Sequence, residues 1–236
     1  MRNEHRICVI IPALNEERAI GRVIADIPAW VDRVVVADNG STDRTADIAR
    51  GAGAVVVAES EPGYGAACLA GLTAIADADI VVFLDGDYSD YPEEMTSLVD
   101  PIIARGADMV IGSRVLGVRE AGALTPQQRF GNWLATRLIR LIWGTRYTDL
   151  GPFRAIRVSS LDRLAMRDRT YGWTVEMQIK AAMHAMAVSE VPVRYRRRIG
   201  VSKISGTIKG TIKAGWTILS IIGRFALRLE PGLPQR

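Results

Sequence analysis

Short apolar runs alternate with amphipathic stretches through the first half of the chain. Ile7–Ile11 (ICVII) is continuously apolar, the pattern of a strand buried on both faces. Glu16–Asp26 has helical spacing, and Asn15 stands where an N-cap belongs. Arg33–Asp38 (RVVVAD) reads as a second strand closed by Asn39-Gly40, and Ser41–Gly51 as a helix begun by Ser-Thr-Asp. Ala54–Ala58 is a third strand and Gly65–Ala76 a small-residue helix. Ile80–Leu84 (IVVFL) is a fourth strand, Pro92–Ala104 a helix with proline in its first turn, and Met109–Gly112 a fifth strand. Strands spaced by helices predict βαβ units and a mostly parallel, Rossmann-like sheet flanked by helices, an α/β fold. Ligands of such sheets bind beyond the carboxyl ends of the strands. Pro12 to Glu16, Asp38 to Ser41, Asp85 to Asp87 and Gly112 to Arg114 therefore face one crevice.

The second half has a different pattern. Arg129–Trp143 carries Phe130, Trp133, Leu134, Leu138, Leu141 and Ile142 at helical spacing. Asp149–Arg157 is a polar turn entering a strand, Trp173–Ala187 a helix, and Ala187–Tyr195 a strand. A basic turn, Arg194–Lys203, precedes an amphipathic stretch from Ile208 to Leu229.

Composition narrows the class. The 236 residues are 48% apolar and 24% charged, which suits one α/β domain with a sizeable core and excludes disorder and fibrous repeats. Two cysteines are too few for a disulfide framework or a cysteine zinc site and fit a reducing, cytoplasmic setting. The first apolar run is too short for a signal peptide, and the apolar runs fall short of a membrane span. A net charge of +4 hides an asymmetry: residues 1–123 carry 10 Lys and Arg against 20 Asp and Glu, residues 124–236 carry 20 against 6. A basic second half implies an anionic partner: phosphate, nucleic acid or an anionic membrane.

Asp85-Gly86-Asp87 follows a buried strand. Two carboxylates one residue apart in a tight turn can grip a hard divalent cation together with substrate phosphates. Turns after strands also favour Asp and Gly for local reasons, so the triplet by itself is equally a solvated loop.

The flanking motifs bring in a family. PALNEE at 12–17, DNGSTDRT at 38–45, GYGAACLAG at 63–71, VVFLDGDYSDYPEEM at 81–95, GSR at 112–114, GPFRAIR at 151–157, GWTVEMQIKA at 172–181 and EVPVRYRRRIGVSKISG at 190–206 occur in order. Together they resemble the family 2 glycosyltransferases of GT-A fold, and more closely the dolichyl- or polyprenyl-phosphate sugar synthases. The resemblance covers residues 1–206 as a GT-A domain and leaves 207–236 as an amphipathic C-terminal extension. It implies that Pro12, Ala13, Asn15 and Glu16 line the donor nucleotide pocket with Asp38, Asn39, Gly65, Asp85 and Gly86. Asn39 departs from the family's usual Asp. Asn15 and Asn39 equally suit capping and turn formation, and Gly63, Gly65 and Ala66 equally suit tight helix packing. Asp85 and Asp87 would hold Mg²⁺ or Mn²⁺ against the diphosphate. Arg114, Arg198, Ser202 and Lys203 would meet an acceptor phosphate, with Asp87, Arg114 and Arg198 closest to the chemistry. Asp149 and Glu176 either position the sugar or acceptor or pair with local arginines. Alternation along Val193–Arg197 sends Arg194 and Arg196 to one face.

The activity so implied is inverting, metal-dependent transfer of a hexose from a nucleotide diphosphate sugar, GDP-mannose or UDP-glucose, to polyprenyl phosphate. A lipid acceptor requires a bilayer, and Arg129–Trp143 and Ile208–Leu229 have the composition of interfacial helices on the inner membrane face. Packing on the sheet or on a second subunit is the other use of such helices. Three rivals stand beside this reading: a soluble acceptor, a non-catalytic nucleotide-sugar-binding protein, and a nucleotidyltransferase. The basic run beside a sugar-nucleotide-like site argues against nucleic acid.

Overall fold

The computed structural model describes residues 1–200, the backbone of 208–214, and residues 215–227 and 229 in full. Seven strands form one sheet: β1 Ile7–Ala13, β2 Arg33–Asp38, β3 Val55–Ala58, β4 Ile80–Phe83, β5 Met109–Ser113, β6 Arg154–Arg157 and β7 Val188–Pro192. Their order is β3-β2-β1-β4-β6-β5-β7. β1 pairs in parallel with β2 and β4, β2 with β3, and β5 with β7. β6 is the exception, antiparallel to both β4 and β5. The first five predicted strands are all present, and β6 makes the sheet mixed. Arg154–Arg157 sits between two strands that precede it in the chain, a non-local pairing that no periodicity announces.

The helices are α1 Ile20–Ala25, α2 Thr45–Gly51, α3 Tyr64–Leu72, α4 Met95–Arg105, α5 Pro126–Trp143, α6 Val158–Leu164, α7 Trp173–Met183 and α8 Ile208–Ala226. Alternation along β1 sends Ile7, Val9 and Ile11 to one face and Cys8 and Ile10 to the other. Both faces are covered, so β1 is buried throughout. Each such fully buried Ile or Val stabilises the fold by about 1.5–3 kcal/mol. One core layer holds α1 and α4 residues such as Val23 and Leu98; the other holds Cys68, Ile139, Trp173 and, from α8, Ile221, Ile222 and Phe225. The C-terminal amphipathic stretch thus places one face in the core.

Several boundaries move for identifiable reasons. α1 starts at Ile20, not Glu16, because the amides of Glu16 and Glu17 bind Thr45 Oγ1 (2.8 Å) and Asp43 Oδ2 (3.2 Å) across the neighbouring loop. α2 starts at Thr45, since Ser41 and Asp43 serve that loop instead. α5 begins earlier than predicted, at Pro126, where Thr125 and Gln128 form a reciprocal capping box. α3, α7 and β7 end sooner than predicted, at Leu72, Met183 and Pro192, and α6 was not foreseen.

Candidate active site

The carboxyl ends of β1, β2 and β4 meet at a cleft of about 290 Å³. β1 contributes Pro12 and Ala13, with Leu14 and Glu16 just beyond; the loop after β2 contributes Asn39; the turn after β4 contributes Asp85, Gly86 and Asp87. Pro62, Gly63, Tyr64 and Ala67 form one wall, and Thr170, Tyr171, Arg198 and Thr217 complete it.

The β4 turn is tight. Tyr88 takes a left-handed conformation (φ 65°), and Asp87 Oδ1 accepts the Ser89 amide at 2.9 Å. Tyr88 donates its hydroxyl to Asp26 (2.7 Å), and Arg196 lies over the Tyr88 ring, 3.3 Å from its centroid. Arg196 also donates to the carbonyls of Tyr88 and Asp90. These contacts fix the turn so that both Asp85 and Asp87 reach the cleft. Burial, and then the charge of Asp87, pushes the Asp85 carboxyl up to about 7. Tyr64 donates its phenol to Asp85 Oδ1 at 3.1 Å, and burial above all holds that phenol well above its usual range. Asp90 lies deeper: burial, then Asp85 and Asp87, raises its carboxyl well above the carboxylate range, and neither carboxylate oxygen finds a hydrogen bond among the described residues.

A carboxylate pair under its own repulsion is a site short of positive charge. Among the described residues no three His, Cys, Asp or Glu side chains converge to hold a metal unaided. Two carboxylates that leave the remaining positions to substrate oxygens match the donor set of Mg²⁺ or Mn²⁺. Among the described residues, Arg198 brings a cation to the pair: its guanidinium spans Glu16 (2.9 Å) and Asp87 (3.2 Å).

The remaining predicted residues take distinct places. Asn15 is left-handed (φ 53°) and caps no helix; its Oδ1 accepts the Thr42 amide at 2.7 Å, joining the loops after β1 and β2. Asp38 accepts the Ser41 amide at 3.2 Å. Asn39 donates to the carbonyls of Glu59 (3.2 Å) and Glu61 (2.7 Å) and accepts the Gly63 amide (2.7 Å). A carboxylate could not make the two donations, which gives the departure from Asp a local reason. Gly65 sits behind the cleft wall, where a Cβ would lie 2.0 Å from the Asp168 carbonyl oxygen. Arg114 is joined to buried Asp149 by two guanidinium bonds (2.8 and 2.7 Å) and its own amide (2.8 Å). Glu176 pairs with Lys180 (2.6 Å) and accepts the amides of Arg167 and Asp168. Arg194 and Arg196 do share a face, both over Tyr91. Ser202 and Lys203 lie outside the described residues.

Leu14 lines the cleft as its place in Pro12 to Glu16 predicts; Pro62, Tyr64, Thr170, Tyr171 and Thr217 complete it without having been singled out. Tyr64 had a signal, lying between two glycines already marked. Thr170, Tyr171 and Thr217 had none, because they arrive from distant segments.

The sequence profile of "Glycosyl transferase family 2" matches residues 8–165. The chain is 36% identical over 220 residues to an uncharacterised glycosyltransferase of Mycobacterium tuberculosis, covering 91% of this chain and 98% of that one. It is 34% identical to a dolichyl-phosphate hexose transferase of Haloferax volcanii (94% and 96% covered) and 30% identical to an undecaprenyl-phosphate mannosyltransferase of Micrococcus luteus (97% and 100%). Glucosyl-3-phosphoglycerate synthase of M. tuberculosis, solved with Mn²⁺, UDP and glucosyl-3-phosphoglycerate, superposes with a TM-score of 0.74 at 24% identity, over 98% of this chain and 82% of that one. The fold is therefore GT-A, and with a profile match across about two thirds of its length the chain belongs to glycosyl transferase family 2 and is a glycosyltransferase.

Proposed function

We propose that this chain transfers a hexose from a nucleotide diphosphate sugar to a polyprenyl phosphate at a membrane surface, with inversion at the anomeric carbon. The observation that carries the reading is the cleft itself, where the Asp85–Asp87 pair, with Arg198 spanning Glu16 and Asp87, lies at the carboxyl ends of the parallel strands. Relatives named for lipid-phosphate hexose transfer, matched over nearly the whole chain, support the acceptor class.

Pro12, Ala13, Asn39 and Gly86 would form the walls around the donor nucleotide, with Asn15, Asp38 and Gly65 behind them holding the loops in place. Mg²⁺ or Mn²⁺ bound by Asp85 and Asp87 would neutralise the charge that builds on the departing diphosphate. The acceptor phosphate oxygen attacks the anomeric carbon from the side opposite the diphosphate. A new C–O bond forms as the bond to the diphosphate breaks, and its electron pair leaves with the nucleoside diphosphate. A phosphate monoester is already anionic near neutral pH, so the chain has no proton to abstract. Arg198, at the cleft, would receive the acceptor phosphate through its fork of N–H donors. Arg114 would add positive charge from beside Asp149, and Ser202 and Lys203 would complete the acceptor side.

The membrane-facing surface would be the outer sides of α5 and α8. Trp133 is 51% and Trp216 73% exposed, and Phe130, Leu141 and Leu219 of the same helices are exposed too. Arg137 lies over the Trp133 ring. Among the described residues no helix is long and apolar enough to cross a membrane. The exposed aromatic and basic residues of these two helices support interfacial attachment, on the cytoplasmic face.

The test offers radiolabelled GDP-mannose, UDP-glucose and UDP-N-acetylglucosamine in parallel, with a short polyprenyl phosphate and Mg²⁺ or Mn²⁺. Labelled product in the organic phase is expected from one donor. Metal-dependent donor hydrolysis with no labelled lipid would overturn the lipid acceptor and direct the search to soluble phosphorylated acceptors.

A further inference from the structure

Resting on the reading that Asp85 and Asp87 hold the divalent cation, we infer that Tyr64 is a positioning residue for that cation, acting through the Asp85 carboxylate. Its phenol donates to Asp85 Oδ1 at 3.1 Å, and both side chains line the cleft. A short carboxylate on a turn rotates freely unless something fixes it. A hydrogen bond to one oxygen sets the plane in which the other oxygen is presented.

The tyrosine is itself held unusually firmly. It lies between Gly63 and Gly65, and the backbone on either side is pinned. The Gly63 amide donates to Asn39 Oδ1 (2.7 Å), the Gly65 amide to the Thr170 carbonyl (3.0 Å), and the Ala66 amide to the Arg169 carbonyl (2.9 Å). The approach is so close that a Cβ on Gly63 would lie 1.9 Å from the Arg169 carbonyl oxygen. Glycine on both sides lets the start of α3 lie flat against residues 168–170 and delivers the Tyr64 side chain to the carboxylate. The same pins hold Asn39 on one wall of the cleft and Thr170 on another. Tyr64 therefore ties the geometry of Asp85 to the walls that would enclose the nucleotide.

The experiment titrates Mn²⁺ into the full chain and follows the electron paramagnetic resonance of free Mn²⁺, with UDP or GDP present and no acceptor. Wild type, Tyr64→Phe, Asp85→Asn and the double variant are compared, and thermal unfolding is recorded for each. Loss of one hydrogen bond to a ligating carboxylate should weaken Mn²⁺ binding about 3- to 10-fold in Tyr64→Phe. Tyr64→Phe should add nothing to Asp85→Asn. Wild-type Mn²⁺ affinity in Tyr64→Phe, or a full additional loss in the double variant, would overturn the positioning role. Failure of the wild type itself to bind Mn²⁺ with nucleotide would instead overturn the cation reading, and Tyr64's role with it.

Discussion

Arg114 and Asp149 form a buried ion pair whose removal gives the sharpest test of how the structure is held together. Asp149 leaves 1% of its side chain exposed and Arg114 13%. The carboxylate takes two guanidinium bonds and one amide bond from the same arginine. Burial acts to lower the Arg114 pKa, but the charge of Asp149 and its hydrogen bonds outweigh that and hold it well above the usual value. Arg114→Met removes the guanidinium and leaves the carboxylate with the Arg114 amide alone. Stranding one member of a buried pair costs about 3–5 kcal/mol, and the surviving amide bond favours the lower end. For a chain of this size each kcal/mol shifts Tm by about 2–4 °C, so a fall of about 6–15 °C is expected by calorimetry. Adding Asp149→Leu should recover part of the loss, since an apolar pair carries no stranded charge. Urea unfolding of the four proteins completes the cycle, with a coupling of about 2 kcal/mol expected. An Arg114→Met protein within 1 kcal/mol of wild type, or a double variant as unstable as the two losses added, would refute the reasoning.

Other outcomes follow from the same geometry. Asp85→Asn and Asp87→Asn should each lower transfer by about 100-fold or more while leaving the thermal transition near wild type, since neither carboxylate secures the core; full activity in either variant would count against the cation pair. Asn39→Asp replaces two amide donations to the Glu59 and Glu61 carbonyls with repulsion, and should cost about 1–3 kcal/mol in urea unfolding; an unchanged midpoint would show that these bonds do not hold the loop. Arg198→Ala should raise the KM for lipid phosphate more than that for sugar nucleotide, and equal changes in both would remove it from the acceptor side. Trp133→Ser with Trp216→Ser should cut sedimentation with anionic vesicles several-fold without altering nucleotide affinity; undiminished sedimentation would move the membrane face elsewhere.

Much of the framework was legible because it rests on local rules. The apolar runs at Ile7–Ile11 and Ile80–Leu84 are strands because burial on both faces leaves no room for a polar position. The parallel order of β1, β2 and β4 follows from helices between strands, and the crevice at their carboxyl ends follows from that order. Asp85, Asp87, Glu16, Asn39 and Arg198 were identified from motifs, and all five line the cleft.

What remained hidden depends on pairs distant in the chain. Residues 16 and 17 carry a helical pattern, yet their amides bind Thr45 and Asp43, so α1 begins a turn later. β6 enters the sheet antiparallel, between β4 and β5, two strands that precede it in the chain. Among the described residues of the basic run, the Arg194 guanidinium is taken by Glu93 and Glu94, that of Arg196 by the Tyr88 and Asp90 carbonyls, that of Arg197 by the Ala121 carbonyl, and only Arg198 lines the cleft. Thr170, Tyr171 and Thr217 come to the cleft from α7's approach and from α8. Periodicity and motif report what each segment can do alone; the choice of hydrogen-bond and ion-pair partners belongs to the tertiary structure, because those interactions are short-ranged and exist only once the segments meet.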